Sequence, residues 1–205
     1  MQELHGENYI FRLLAHIFSV EPDLELLHEV EQIDLPDEGS LAGIRQMVEA
    51  VRSSKDFLET LREELSVEFA RLFIGPIKPL SIPYASWHLS DSRQLMTDET
   101  IEVRQRYLDA GMAVKELYSV PDDHIAIELE FLSYLTSEMI AANSDGSSKR
   151  IDEPKRLRDD FLVGHMRKWI PDFVASIDRS DAHPFYKGAA LLLEEVIMCQ
   201  EPLSA

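Results

Sequence analysis

Pro121-Asp122-Asp123-His124-Ile125-Ala126-Ile127-Glu128-Leu129-Glu130-Phe131-Leu132, continuing to Leu135 and Met139, is the stretch that decides how this chain folds. Leu129, Leu132, Leu135 and Met139 recur every three or four residues, which places them on one face of an α-helix. Pro121-Asp122 supplies the start, because a proline with fixed φ and an acidic residue both suit a first helical turn. The spacing predicts a long helix running to about residue 142. The polar run from Asn143 to Ser148 then ends it and is the best candidate for a hinge.

The same period extends in both directions. Upstream, Phe11, Leu14, Ile17 and Phe18 form one stripe, stopped at Glu21-Pro22. Leu24, Leu27 and Val30 follow, with Pro22 expected as the first residue of that helix. After Pro36, Gly39 and Ser40, a third stripe runs through Leu41, Ile44, Val48 and Val51. Asp56 and Glu59 have the spacing of a capping box opening a fourth helix with Leu58, Leu61, Leu65 and Leu72. Thr97 is expected to cap a helix carrying Ile101, Arg104 and Leu108 that stops at Gly111. Downstream, Leu157, Phe161, His165 and Trp169 share a face up to Pro171. Phe173, Val174 and Ile177 mark a short segment. Pro184 opens a last helix with Phe185, Ala189, Leu192 and Val196. No alternating β-branched run of useful length and no fixed-period repeat occurs. The fold class is therefore all-α: a single-domain helical bundle of about nine or ten helices over 1–205.

Composition narrows the function. With 45% apolar and 28% charged residues the chain is globular. Twenty basic against 38 acidic residues give a formal charge of −18. That field repels nucleic-acid phosphates and anionic lipid and attracts basic ligands. Cys199 is the single cysteine, so no intramolecular disulfide forms, and a small core hydrophobe on the last helix is its expected role. Neither a leader-like apolar run at the start nor a membrane-length apolar stretch is present, so the expected compartment is the cytoplasm.

Two segments depart from plain helical patterning. Gly75, Pro76, Pro79 and Pro83 fall too close together for a regular element, and Tyr84-Ala85-Ser86-Trp87-His88 follows directly. Such a loop either covers one end of the core or lines a cleft for a peptide, with broad aromatic contacts held in shape by the prolines. The second is Pro121 to His124. Asp122 or Asp123 can cap the following helix, and His124 can pair with Glu128 one turn on. Two carboxylates and a histidine together are also suited to grip a guanidinium group.

Catalytic and metal-binding patterns are missing. There is no nucleophile elbow, phosphate loop or dinucleotide fingerprint. Glu25-Leu26-Leu27-His28 is the lone Glu-x-x-His motif, whereas a di-iron bundle needs two and two further glutamates. The seven histidines have no ligand spacing, and His16 and His165 read as core histidines. The basic residues between Lys149 and Lys168 alternate with acidic ones, as on a solvated helix face.

These segments, taken in order, resemble the TorD/DmsD family of redox-enzyme maturation chaperones. Glu68-Phe69-Ala70-Arg71-Leu72-Phe73-Ile74-Gly75-Pro76 is similar to the family's aromatic-x-x-Leu-Phe-x-Gly-Pro helix end. Pro83-Tyr84-Ala85-Ser86-Trp87 follows, then Val103, Tyr107 and Gly111. Glu116 and Val120-Pro121-Asp122-Asp123-His124 are similar to its Glu-x-x-x-Glu-Pro-x-Asp-His signature, with Glu128 to Leu132 behind them. His165, Trp169, Pro171, Phe173 and Phe185-Tyr186 complete a match over about 65–190. Val120 stands where the signature has its second Glu, Ala85 where many relatives carry Glu, and Ile82 where a second Pro is common.

The resemblance implies a TorD-like cytoplasmic chaperone, not an enzyme and without a cofactor of its own. It would bind the twin-arginine leader peptide and the body of a molybdopterin oxidoreductase catalytic subunit, as a monomer or homodimer that engages no nucleic acid and is not integral to a membrane. Asp123 and His124 carry over as polar leader contacts with Glu116 in support, and Leu72, Phe73, Pro83, Tyr84, Ser86 and Trp87 as the apolar wall. From the residues alone, a helical metal-binding enzyme and a regulatory adaptor with another partner stay open.

Overall fold

The computed structural model describes residues 2–35, 41–75, 78–112, 120–144 and 148–198. Ten α-helices are present among them, with no strand: α1 (Gln2–Ser19), α2 (Leu24–Glu31), α3 (Ala42–Arg52), α4 (Leu58–Phe69), α5 (Ala85–Leu89), α6 (Asp98–Asp109), α7 (Ile125–Ser144), α8 (Ser148–Gly164), α9 (Ile170–Arg179) and α10 (Pro184–Met198). The all-helical expectation and the helix number hold. None of the helices is long and apolar enough to cross a membrane. The punctuating Pro36, Gly39 and Ser40, as well as Pro76, Glu116, residues 145–147 of the polar hinge stretch and Cys199, lie outside the described residues.

The chain gathers into two compact units. The described parts of Met1–Ser19 and Pro83–Trp169 form the first, those of Val20–Ile82 and Ile170–Gln200 the second.

In the first unit α7 is the axis, packed by α1 and by α8. Its expected stripe is fully buried, as are Phe11, Leu14, Ile17 and Phe18 of α1. Tyr107, Phe131 and Phe161 form an aromatic cluster, Tyr107–Phe131 at 4.7 Å and Phe131–Phe161 at 5.0 Å between ring centres. Arg158 of α8 reaches Glu7 of α1 at 2.7 Å, an ion pair with little exposure on either side. The glutamate of α7 does not pair with His124 as the spacing suggested. Glu128 is wholly buried, held by His165 Nε2 at 2.6 Å and Trp169 Nε1 at 3.2 Å. Its burial pushes the carboxyl pKa up, against the pull of His165.

The second unit is built on α3 crossing α10, with α9 and α2 alongside. The crossing is close because Gly43 and Gly188 face the opposing backbones. A Cβ on Gly43 would lie 2.1 Å from the Leu192 amide nitrogen, and one on Gly188 2.6 Å from that of Met47. Glu195 of α10 accepts from the amides of Ala42 and Gly43, both at 2.9 Å, and so caps α3 from another helix. Glu68 grips Arg71 through two bonds of 2.6 Å and accepts from the His183 amide, while Arg71 donates to the Ser180 carbonyl at 3.1 Å.

Helix starts differ in detail from the sequence expectations. Asp23, not Pro22, opens α2, its Oδ1 accepting from Leu26 N at 2.8 Å. The Asp56–Glu59 box does not form; Lys55–Phe57 makes a 3-10 turn, α4 starts without a side-chain cap, and Glu59 binds Arg62. Thr97 occupies the cap position of α6, but its hydroxyl bonds the Glu99 carboxylate instead of a helix amide.

Candidate functional site

The proline-aromatic segment is shaped from both sides. After α4 the backbone widens into a π turn, Ala70–Ile74, closed by Gly75 N to the Ala70 carbonyl at 2.6 Å. Gly75 has φ +63, and a Cβ there would meet Lys78 and Pro79 at 2.8 Å. Only glycine fits. Ser81 N then returns to the Leu72 carbonyl at 2.8 Å, which folds the loop back on the helix end. Leu72 and Phe73 consequently face inward in the second unit. Phe73 lies against Phe69, Tyr186 and Phe173, with ring centres 5.2, 5.7 and 6.2 Å away. The exposed apolar side chains here are Ile74 and Leu80.

In the first unit, the backbone around Tyr84 pairs antiparallel with that around His124 in a single bridge. Ala85 N donates to the Asp123 carbonyl at 3.0 Å and Ile125 N to the Pro83 carbonyl at 2.9 Å, bridging Tyr84 and His124. The Tyr84 and His124 rings meet edge to face at 4.9 Å. Tyr84, Trp87 and His124 are half-buried; Pro83, Ser86, Asp122 and Asp123 are buried.

Neither aspartate caps α7. His124 does so with its ring, Nδ1 accepting from Ala126 N at 3.2 Å, which requires a neutral imidazole. Burial supplies one, lowering the His124 pKa to about 4 against the opposing effect of Asp123. Asp123 serves a different helix. Its Oδ2 accepts from Ser86 N at 2.7 Å, an amide of the first turn of α5, and Oδ1 from the Thr100 hydroxyl of α6 at 2.9 Å. The five-residue helix inside the proline-rich region therefore exists through a cap from 37 residues away. The proline spacing had suggested no regular element there.

Asp122 is 1% exposed and forms a charge-assisted bond from Oδ2 to Arg104 Nε. Among the described residues its Oδ1 has no hydrogen-bond partner. Tyr107 donates to the Asp122 carbonyl at 2.9 Å, fixing the turn on α6. Arg104 was read as part of a helical stripe and missed as a site residue. A cation between two apolar stripe positions, Ile101 and Leu108, was the available signal.

The structure thus brings Pro83, Tyr84, Ser86, Trp87, Asp122, Asp123 and His124 into one unit on two paired segments, and places Leu72 and Phe73 in the core of the other. Among the described residues no cluster of three or more His, Cys, Asp and Glu side chains could hold a metal ion.

Comparison with known proteins agrees with this architecture. The chain matches the nitrate reductase delta subunit family over residues 33–175. It is 29% identical to chaperone protein TorD of Escherichia coli O81 (strain ED1a) over 197 residues, covering 93% of this chain and 92% of that one. Chaperone protein TorD of Vibrio parahaemolyticus is 30% identical over 182 residues, 84% and 81% of the two chains. The crystal structure of a candidate redox enzyme maturation protein from Archaeoglobus fulgidus shares the fold, with a TM-score of 0.58 at 21% identity over 91% of each chain. The match spans well over half of the sequence, so the chain belongs to the nitrate reductase delta subunit family, that of the TorD redox-enzyme maturation chaperones, and is a chaperone and not an enzyme.

Proposed function

We propose that this chaperone works in the cytoplasm on a molybdopterin-containing oxidoreductase, binding its twin-arginine leader and its cofactor-free body. Bound in this way, the client is held for cofactor insertion and kept from export until folded. No bond is made or broken; the mechanism is recognition, shielding and release.

The observation that carries the reading is the paired segment itself. Two half-buried aromatic side chains, Tyr84 and Trp87, and the neutral ring of His124 lie on a turn built around two buried carboxylates. The chain as a whole carries eighteen excess negative charges. Aromatic surfaces offer wide contact at low entropic cost, and guanidinium groups stack on them. An uncharged imidazole lets an arginine approach without repulsion, and the acidic field draws it in.

Calorimetry on the full chain with a synthetic twin-arginine leader and its twin-lysine counterpart tests this. We expect the arginine peptide to bind at least tenfold tighter, since lysine reproduces neither the planar fork nor the stacking. Affinity should weaken as salt rises, and Trp87→Ala should weaken it about tenfold or more. Equal or absent binding of both peptides, for every leader tried, would sink the proposal.

A further inference from the structure

We infer that Asp122 is a guanidinium receptor and that Arg104 fills it in the free chaperone, standing in for an arginine of the client. The inference rests on the leader-binding reading and adds how that site is kept occupied before the client arrives.

Three features support it. First, the internal pair is incomplete. Arg104 engages Oδ2 through Nε, and Oδ1 of the same buried carboxylate has no hydrogen-bond partner among the described residues. A buried ionised oxygen without a donor is costly. A guanidinium arriving with two parallel N–H groups satisfies both oxygens at once, so an incoming arginine is a better ligand than the resident one. The neighbouring Asp123 has no such opening, because each of its oxygens already accepts a bond within the unit.

Second, the arrangement is layered. Asp122 is 1% exposed, whereas the Arg104 side chain is 30% exposed. Arg104 is the member of the pair that meets solvent, and its departure opens the way to the carboxylate. The Asp122 backbone need not move, since Tyr107 holds its carbonyl.

Third, the surroundings suit an arginine set among apolar residues. Ile101 and Leu108 lie three residues before and four after Arg104, on the same helical face. They are 64% and 54% exposed. The buried face of α6 is the other one, Thr100, Val103 and Tyr107. An apolar peptide carrying an arginine can place the charge on Asp122 and its apolar neighbours on this ridge.

The test uses Arg104→Ala in the full chain, with Arg104→Lys as the variant that retains a charge without the fork. Methylguanidinium should raise the thermal midpoint of Arg104→Ala, methylammonium should not, and the wild type should respond to neither. A synthetic twin-arginine leader should bind Arg104→Ala roughly five- to tenfold tighter than wild type, because the fraction of empty sites rises. Arg104→Lys should show a smaller gain in the same direction, and the twin-lysine peptide none. Leader binding unchanged or weakened in both variants overturns the inference while leaving the leader reading intact. Methylguanidinium rescue in a chaperone that binds no leader keeps Asp122 as a guanidinium receptor and removes the leader reading. If Arg104→Ala does not fold, the Arg104→Lys affinity decides: a value equal to or weaker than wild type overturns the inference.

Discussion

Both carboxylate oxygens of Asp123 are committed to its own unit, one to Ser86 N and one to the Thr100 hydroxyl. Asp123→Ala therefore leaves a buried amide and a buried hydroxyl unpaired. It should lower stability by about 2–4 kcal/mol, read as a shift in the urea midpoint. Asp123→Asn retains one acceptor and should cost less. Equal midpoints for wild type and Asp123→Ala would refute the anchoring role. The residue types at this site were legible in the sequence, and so was a capping role for one of them. Which helix was capped was not, because Asp123 and Ser86 lie 37 positions apart and no local pattern links them. Glu128 teaches the same lesson: spacing offered His124, and the fold supplied His165 and Trp169.

At the scale of elements, periodicity served best where a helix is enclosed. The stripes of α1, α7 and α10 came out buried as drawn, because a helix surrounded by others has one dominant apolar solution. On α6 two stripes compete. Ile101, Arg104 and Leu108 form one, Thr100, Val103 and Tyr107 the other, each with two apolar members, and the second is inside. The Tyr107 hydroxyl decides it, since only the inward position reaches the Asp122 carbonyl while the ring packs on Phe131. Glycines inside helices were equally silent in the sequence. Gly43→Ala ordinarily gains about 1 kcal/mol of helix propensity. Here the added methyl meets the α10 backbone at 2.1 Å, which cannot yield without parting the helices. We expect a net loss of roughly 3 kcal/mol or more in thermal unfolding. Gly6→Ala, with nothing within 4 Å of the new Cβ, should be neutral or slightly stabilising and serves as the control.

Across the whole molecule, each unit holds one histidine that burial keeps uncharged. His124 in the first has its pKa lowered to about 4, and His183 in the second is lowered as well, burial outweighing Glu64 and Glu68. Unfolding returns both to about 6.5. As pH falls through 6.5 the unfolded chain takes up protons that the folded chain refuses, so stability declines on acidification. For His124 the decline continues until pH 4, with a limiting slope of about 1.4 kcal/mol per unit. Glu128, whose carboxyl burial pushes up, acts in the opposite sense. Comparison with His124→Gln isolates the histidine: urea midpoints of the two proteins should converge at acid pH and separate toward neutrality. A constant separation from pH 4.5 to 7 would count against it.

The pairing of α1 with α7 has a consequence for synthesis on the ribosome. More than a hundred residues separate Ser19 from Ile125, so the apolar face of α1 lacks its main packing partner until α7 has emerged. At ~5–20 residues per second that interval lasts on the order of ten seconds. For that time Phe11, Leu14, Ile17 and Phe18 are a sticky nascent segment, and a chaperone begins as a chain that itself needs guarding.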